Sequence, residues 1–457
     1  LVKPGALLQA NGGYLVLNVE DLLRNPYSWE ALKRGLRSAE LRIEEIQEQL
    51  GLMSIKTLRP QAIPLNVKVV LIGSPLIYQL LHQLDPDFQE LFKVKADFDV
   101  EMDRNNDNMR SFVSFLACTV EREQLPHLDA GGAAKMLEHA TRTAEHKDKL
   151  STRFGEVSDL LREAAYWCAR RDGGEISGDD VQRAIDEKIY RSSMIKEKIV
   201  ELIERGTLLI ATDASAAGQV NGLSVMQLGD FTFGRPNRIT ATVAAGRDGI
   251  IDIERESKLG GPIHNKGVLI LSGFLSRVFA RHSALSMSAR LVFEQSYGGV
   301  EGDSASSAEL YALLSSLAKA PAFQGVAVTG SVNQNGDIQA IGGVNEKIEG
   351  FFDVCSVKGL TGSQGVIIPQ SNVQNLVLRE DVVDAIEQRR FHIWPVQRIE
   401  EGIEILTGTP AGEPDESGAF AANTIFYSVQ ETLNEFQEVL RALGPVGGGA
   451  SERRPVF

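Results

Sequence analysis

Cysteine is scarce in this chain: Cys118, Cys168 and Cys355 are the three among 457 residues. An odd number without paired metal-ligand spacing argues against a disulfide framework and against a zinc site, so no metal is expected. The same scarcity suits a reducing compartment, and the cytoplasm is the expected location. Long apolar runs are also missing. Nothing approaches the ~18 uninterrupted apolar residues that span a bilayer, and the opening LVKPGALLQANGG has neither the charged nor the apolar part of a secretory leader, so no membrane partner is expected. Basic charge is in deficit, with 47 Lys and Arg against 61 Asp and Glu leaving a net −14. That balance disfavours nucleic acid as the principal ligand. An initiator Met is absent before Leu1, and the chain is read as a trimmed or partial one to which upstream motifs can belong.

What is present is the composition of a packed globular protein, 43% hydrophobic and 24% charged. At roughly 100–200 residues per domain the length accommodates several domains. Residues 14–18 (YLVLN) and 67–72 (VKVVLI) read as buried parallel strands, and Trp29 to Leu50 as a helix with i,i+4 charge pairs, which makes 1–104 an α/β part. From 105 to 195 the strand signals stop and apolar residues recur at three- and four-residue steps. Ser177 ahead of Asp179-Asp180 reads as a helix cap in this helical block.

Residues 196–410 turn β-rich, with strands expected at TLLIAT (207–212), RITATVAA (238–245), GVLILS (267–272), ARLVFEQSY (289–297), GVAVTGSV (325–332) and GVIIP (365–369). Helices are expected at 306–319, 343–355 and 380–388, an α+β pattern. The remainder, 411–457, holds one amphipathic helix, SVQETLNEFQEVLRAL, and a Gly-rich tail expected to be loose.

The segment Gly298-Gly299-Val300-Glu301-Gly302-Asp303-Ser304-Ala305-Ser306 joins an expected strand to a helix. Backbone N–H groups at a helix start stabilise developing negative charge, so a serine there has its oxyanion donors at hand. The plainer reading is that Ser304 or Ser306 caps the helix. A serine nucleophile also needs a base. His264 and His282 lie in the same region, and lysine is the other option, because burial among apolar groups disfavours its charged form and frees the amine to take a proton. Lys347 follows Gly342-Gly343 near the start of a short helix.

Taken together, these segments resemble the protease domain of the Lon family of AAA+ proteases. Glu301-Gly302-Asp303-Ser304-Ala305 matches the family's serine context, and Gly342-Gly343-Val344-Asn345-Glu346-Lys347 matches its lysine context 43 residues later. Val328-Thr329-Gly330 matches a Thr-Gly element between them. The resemblance spans roughly 205–408, and the EGDSAS form is nearer the archaeal-type branch. It implies a Ser-Lys dyad serine endopeptidase: Ser304 as nucleophile, Lys347 as general base and then acid, and Thr329 holding the lysine amine. Backbone N–H groups around Asp303 and Ser304 would form the oxyanion hole, with Gly302 in the same loop and Glu301 shaping it.

Residues 1–195 resemble the later part of an AAA+ module with its helical lid, in degenerate form. Asn18-Val19 stand where a Walker B strand would end in Asp-Glu; the amide can accept a bond from magnesium-bound water, but Val19 cannot polarise an attacking water. No Arg occurs between Arg59 and Arg104, where an arginine finger is expected, and Asp87, Glu90 and Lys93 stand there instead. Arg162 fits a phosphate-sensing lid arginine or, equally, a surface ion pair. No G-x-x-x-x-G-K-[ST] loop occurs.

The fold expected is therefore an AAA+-like α/β part with a helical lid, followed by an α+β Lon-type protease domain. The resemblance implies a hexameric ring that cleaves unfolded proteins or peptides and needs no cofactor for peptide cleavage; the departures at Asn18-Val19 and the missing arginine lead to the expectation that ATP with magnesium is not hydrolysed efficiently. The alternatives are an ATP-dependent unfoldase-protease with its phosphate loop upstream of Leu1, and a non-catalytic ring scaffold.

Overall fold

The structure, a computed structural model, describes residues 4–25, 27–42, 61–280, 284–416 and 418–443. The chain divides into two compact units between Phe98 and Asp99.

In the first unit, β1 (Tyr14–Asn18) and β2 (Lys68–Ile72) pair in parallel, with Tyr14 opposite Lys68 and Asn18 opposite Ile72. Helices α1 (Val19–Arg24), α2 (Ser28–Ser38) and α3 (Pro75–Leu84) flank them. The strands are not buried as expected. Leu15 faces inward, but Tyr14, Val16, Val70 and Ile72 are exposed, the alternation of a sheet covered on one face. The helix expected to reach Leu50 ends at Ser38, where Ala39 adopts φ 50° and residues 40–41 pair with Ile63–Pro64 instead. The rest of that expected helix lies outside the described residues.

The second unit opens with the expected helical block: α4 (Asn106–Glu123), α5 (Ala130–Thr143), α6 (Phe154–Arg170) and α7 (Gly178–Ser192). Their apolar stripes meet in one core that includes Phe112, Leu116, Met136, Leu161 and Val181. Ser177 caps α7 as expected, in a reciprocal box with Asp180. Helix α8 (Met194–Glu204) then leads into the β-rich region.

That region is built on a seven-stranded sheet of β3 (Gln219–Leu228), β4 (Phe231–Ala245), β5 (Gly249–Asp252), β6 (Met287–Phe293), β7 (Val326–Val328), β8 (Gly365–Pro369) and β9 (His392–Val396). The spatial order is β5-β6-β4-β3-β7-β8-β9; β4 is antiparallel to both neighbours, and the other pairs are parallel. Helices α9 (Pro262–Phe279), α10 (Ser306–Ala318), α11 (Val344–Lys358), α12 (Glu380–Glu387) and α13 (Ile399–Thr407) pack among and around the strands. Almost every side chain of α10 is buried, as befits a helix inside a core.

Two expected strands are something else. GVLILS lies inside α9, which starts at Gly261-Pro262 and buries Leu271, Phe274, Leu275 and Phe279 at helical spacing. TLLIAT is irregular, and its Ile210 packs with Ile203 of α8 and Val354 of α11. The amphipathic helix near the C-terminus, α14 (Ile425–Ala442), is not a separate appendage. Its Ile425, Phe426, Val429 and Leu433 join the same core as α10, and Phe426 meets Phe279 and Phe420 edge to face. The Gly-rich tail lies outside the described residues. All three cysteines are unpaired, and no described helix is long and apolar enough to cross a membrane.

Candidate active site

Ser304 sits between β6 and α10, one residue after Asp303 and two after Gly302, whose φ of +87° turns the loop toward the helix. It does not cap α10. The cap position is Ala305, which makes no side-chain capping bond, and Ser306 instead accepts a bond from Val332 N at 3.0 Å. Ser304 keeps its hydroxyl for another partner: Lys347 Nζ donates to Ser304 Oγ at 3.0 Å.

Lys347 occupies the first turn of α11, entered through Gly343 in the left-handed region at φ +64°. Its side chain is buried, with 2% of the residue exposed. Burial drives its pKa down from 10.5 to about 8, against the pull of the Asp303 and Glu346 carboxylates, which favour the charged form. The helix lies directly on β4. A Cβ at Gly234 would stand 2.0 Å from Glu346 O and 2.6 Å from Lys347 Cα, so only glycine lets the two backbones meet. Gly234 is not legible in the sequence, because a lone strand glycine has no signature of what approaches it.

The end of β7 holds the serine backbone. Gly330 N donates to Ser304 O at 2.8 Å, and Ser307 N donates to Gly330 O at 3.1 Å. Thr329 Oγ1 donates to the same Ser304 carbonyl at 3.3 Å. Ser331 Oγ donates to Asp303 Oδ2 at 2.9 Å. Glu301 Oε1 accepts from Ile263 N at 3.2 Å, at a helix start whose cap, Gly261, has no side chain to offer.

The histidine alternatives are placed differently. His264 is buried, with Nε2 3.1 Å from Asp252 Oδ2 and 3.8 Å from Glu309 Oε1. Burial opposes its charged form, but the bond to Asp252 and the Glu309 charge outweigh it and raise its pKa. Burial also lifts Glu254 to about 7 and Glu309 to about 8. Asp252, Glu254 and His264 bring ligand-type atoms within 4.8 Å of one another, the one such grouping among the described residues. His282 lies outside the described residues.

The residues expected to sense nucleotide are engaged in other ways. Asn18 Oδ1 caps α1 by accepting from Glu20 N at 2.9 Å and Asp21 N at 3.1 Å, and Val19 is buried beside it. Arg162 follows the ion-pair reading: it grips Glu123 through two bonds of 2.7 Å and reaches Asp159 at 2.5 Å.

Three family descriptions match successive stretches of the chain. Residues 1–99 match a LonB-like AAA domain, 127–191 the archaeal LonB AAA+ ATPase lid domain, and 298–408 the Lon protease (S16) C-terminal proteolytic domain. A putative Lon protease homolog of Escherichia coli (strain K12) is 33% identical over 89% of this chain and 68% of that protein. Its Haemophilus influenzae counterpart is 33% identical over 89% of this chain and 66% of that protein. An archaeal Lon protease of Thermoplasma volcanium is 26% identical over 90% and 60%, respectively. The chain therefore spans about two thirds of the length of these relatives.

Proposed function

This chain belongs to the Lon protease family, and we propose that it is a serine endopeptidase working through Ser304 and Lys347. The observation that carries the reading is the 3.0 Å contact between Lys347 Nζ and Ser304 Oγ, made by a lysine that burial has brought to a pKa of about 8. In its neutral form the amine takes the serine proton as Oγ bonds to the scissile carbonyl carbon. The resulting ammonium returns that proton to the leaving amine as the C–N bond breaks. Water then adds to the acyl-enzyme with Lys347 again as base; the C–Oγ bond breaks, the lysine returns the proton to Ser304 Oγ, and the acid product leaves. Backbone N–H groups of Asp303 and Ser304 meet the oxyanion, while Thr329 and Gly330 fix the serine carbonyl.

The chain acts on unfolded or disordered protein in the cytoplasm, as a homo-oligomeric ring that we infer to be hexameric, with neither nucleic acid nor membrane as partner. Peptide cleavage needs no cofactor. The capping role of Asn18 and the ion pairs of Arg162 support a nucleotide module without efficient ATP hydrolysis. The matches to AAA and lid domains favour one second reading, an ATP-dependent unfoldase-protease. Cleavage of a fluorogenic peptide and of casein by the wild-type chain and Ser304→Ala, each with and without ATP and magnesium, tests both. Turnover that survives Ser304→Ala sinks the nucleophile assignment, and strict dependence on ATP promotes the second reading.

A further inference from the structure

The helix that carries Lys347 is gripped by the helical block as well as by the sheet. Arg142, in the last turn of α5, forms a two-pronged pair with Glu349, Nη1 to Oε1 and Nη2 to Oε2, both at 2.7 Å. Nη1 also donates to Val377 O at 2.8 Å, so one guanidinium ties α5 to α11 and to the strand-to-helix segment before α12. Glu349 is buried, lies two residues beyond Lys347, and also accepts from Arg379 N at 2.9 Å. Around this pair the contact widens. Asn375 Nδ2 donates to Glu145 O at 2.9 Å, Lys147 N donates to Gln374 O at 3.0 Å, and Asn345 of α11 bonds both Asn375 O and Val377 N at 2.9 Å. A planar, bidentate, mostly buried arginine–carboxylate pair has one geometry, so it transmits position rather than merely adding attraction.

We propose that Arg142 is a positioning residue for catalysis: by clamping Glu349 it sets where the first turns of α11 lie, and so where the Lys347 amine meets Ser304. The inference rests on the reading of Lys347 as the base. It also makes the seat of the helical block a determinant of proteolysis, because a displacement of α5 is carried to Lys347 through a rigid pair. The charge of Arg142 acts in the same direction. It stands 3.8 Å from Glu346, the carboxylate beside Lys347 that favours the charged lysine. The other charged groups on elements packed against α11 are Asp303 in the serine loop, Glu145 just after α5, Lys196, Glu197, Lys198, Glu201 and Glu204 on α8, Arg235 and Arg238 on β4, Arg379 before α12, and Glu346, Glu349, Asp353 and Lys358 on α11 itself. Removing Arg142 takes one cation from this set and leaves Glu346 and Glu349 less compensated.

The test uses the full chain carrying Arg142→Gln, Arg142→Lys, Glu349→Gln or the Arg142→Gln/Glu349→Gln pair, assayed on a fluorogenic peptide across pH. Arg142→Gln is expected to lower kcat at least tenfold with KM little changed, and to move the acid limb of the pH–kcat profile upward. Arg142→Lys, which keeps the charge and loses the fork, restores that limb and only part of kcat. The double variant is no worse than the poorer single one, because both remove the same clamp. Should Arg142→Gln fail to fold, Glu349→Gln carries the test, since an amide of the same shape still bonds and only the clamp is weakened. Wild-type kcat and pH profile in Arg142→Gln, or single losses that multiply in the double variant, overturn the proposal. Lys347→Ala run in parallel keeps the two readings apart: if it is active the dyad itself is wrong, and if it is dead while Arg142→Gln is unchanged only the clamp is wrong.

Discussion

Lys347 and Ser304, 43 residues apart in the chain, meet at 3.0 Å between Nζ and Oγ. The lysine comes from the first turn of a helix laid on β4, and the serine from the loop ahead of the central helix α10. Each is held by its own neighbours. The pair is therefore assembled before substrate arrives, the arrangement in which orientation contributes most to rate.

Lys347→Arg is expected to be inactive although it keeps the charge, because a guanidinium does not release its proton near neutral pH. Peptidase assays on the purified variant decide this, and an active arginine form would hand the role of base to another group.

The pH dependence has a definite sign. Lys347 must be neutral to act, so kcat should rise as pH climbs through about 8 and level off above it. Stability moves the same way. The unfolded lysine, near 10.5, binds its proton more tightly than the folded one near 8, so the cost of burying the charge is full below 8 and fades as pH rises toward 10.5. At about 1.4 kcal/mol per pH unit that cost is of order 3 kcal/mol. Lys347→Met should thus be inactive yet more stable than wild type at pH 7, a gain that denaturant titration should find shrinking by pH 10.

Thr329→Val removes one of two bonds to the Ser304 carbonyl and leaves the one from Gly330 N. Loss of a single neutral hydrogen bond, about 1 kcal/mol, predicts a kcat down roughly fivefold with KM unchanged. A loss as complete as that of Lys347→Arg would instead point to direct contact between Thr329 and the reacting groups.

The share of this site that was legible in advance follows from how local each signal is. Ser304 and Lys347 lie in short stretches whose glycines and charges are readable in place. Arg142 and Glu349 lie 207 residues apart, and neither α5 nor α11 carries any mark of the other. GVLILS failed as a strand because a run of four apolar residues has no period of its own; Pro262 at the helix start and a core on one side settled it. The bond from Thr329 to the Ser304 carbonyl was not legible, since a resemblance conveys proximity and not the direction of a hydroxyl. The strand character of 14–18 and 68–72 was readable, but their burial depends on what covers them.

Gly234→Ala tests the contact between α11 and β4. The added methyl would fall 2.0 Å from Glu346 O and 2.6 Å from Lys347 Cα, both backbone, so the helix must move. Overpacking of this kind costs about 1–3 kcal/mol, and activity should fall much further than stability. Thermal unfolding beside kcat measures the disparity; a fully active Gly234→Ala would show that the helix can shift without disturbing the dyad.

Energy coupling gives the last expectation. If the nucleotide module does not hydrolyse ATP, casein is degraded without nucleotide, whereas a stably folded substrate resists, because nothing supplies the ~5–15 kcal/mol needed to unfold it. ATP turnover that accelerates cleavage of a folded substrate would reverse this.

Helix α14 supplies Ile425, Phe426, Val429 and Leu433 to the core in which α10 is embedded, and Ser304 lies just ahead of α10. The order of synthesis then matters. A ribosome has translated the nucleophile, the base and every strand of the sheet before it reaches the residues that complete the packing beneath them. The loop that carries Ser304 consequently gains its full packing only after α14 has been made. A chain stopped at residue 424 should lack a stable core and fail to react with a serine-directed probe; if it labels at Ser304 as fast as the longer chain, this timing does not hold.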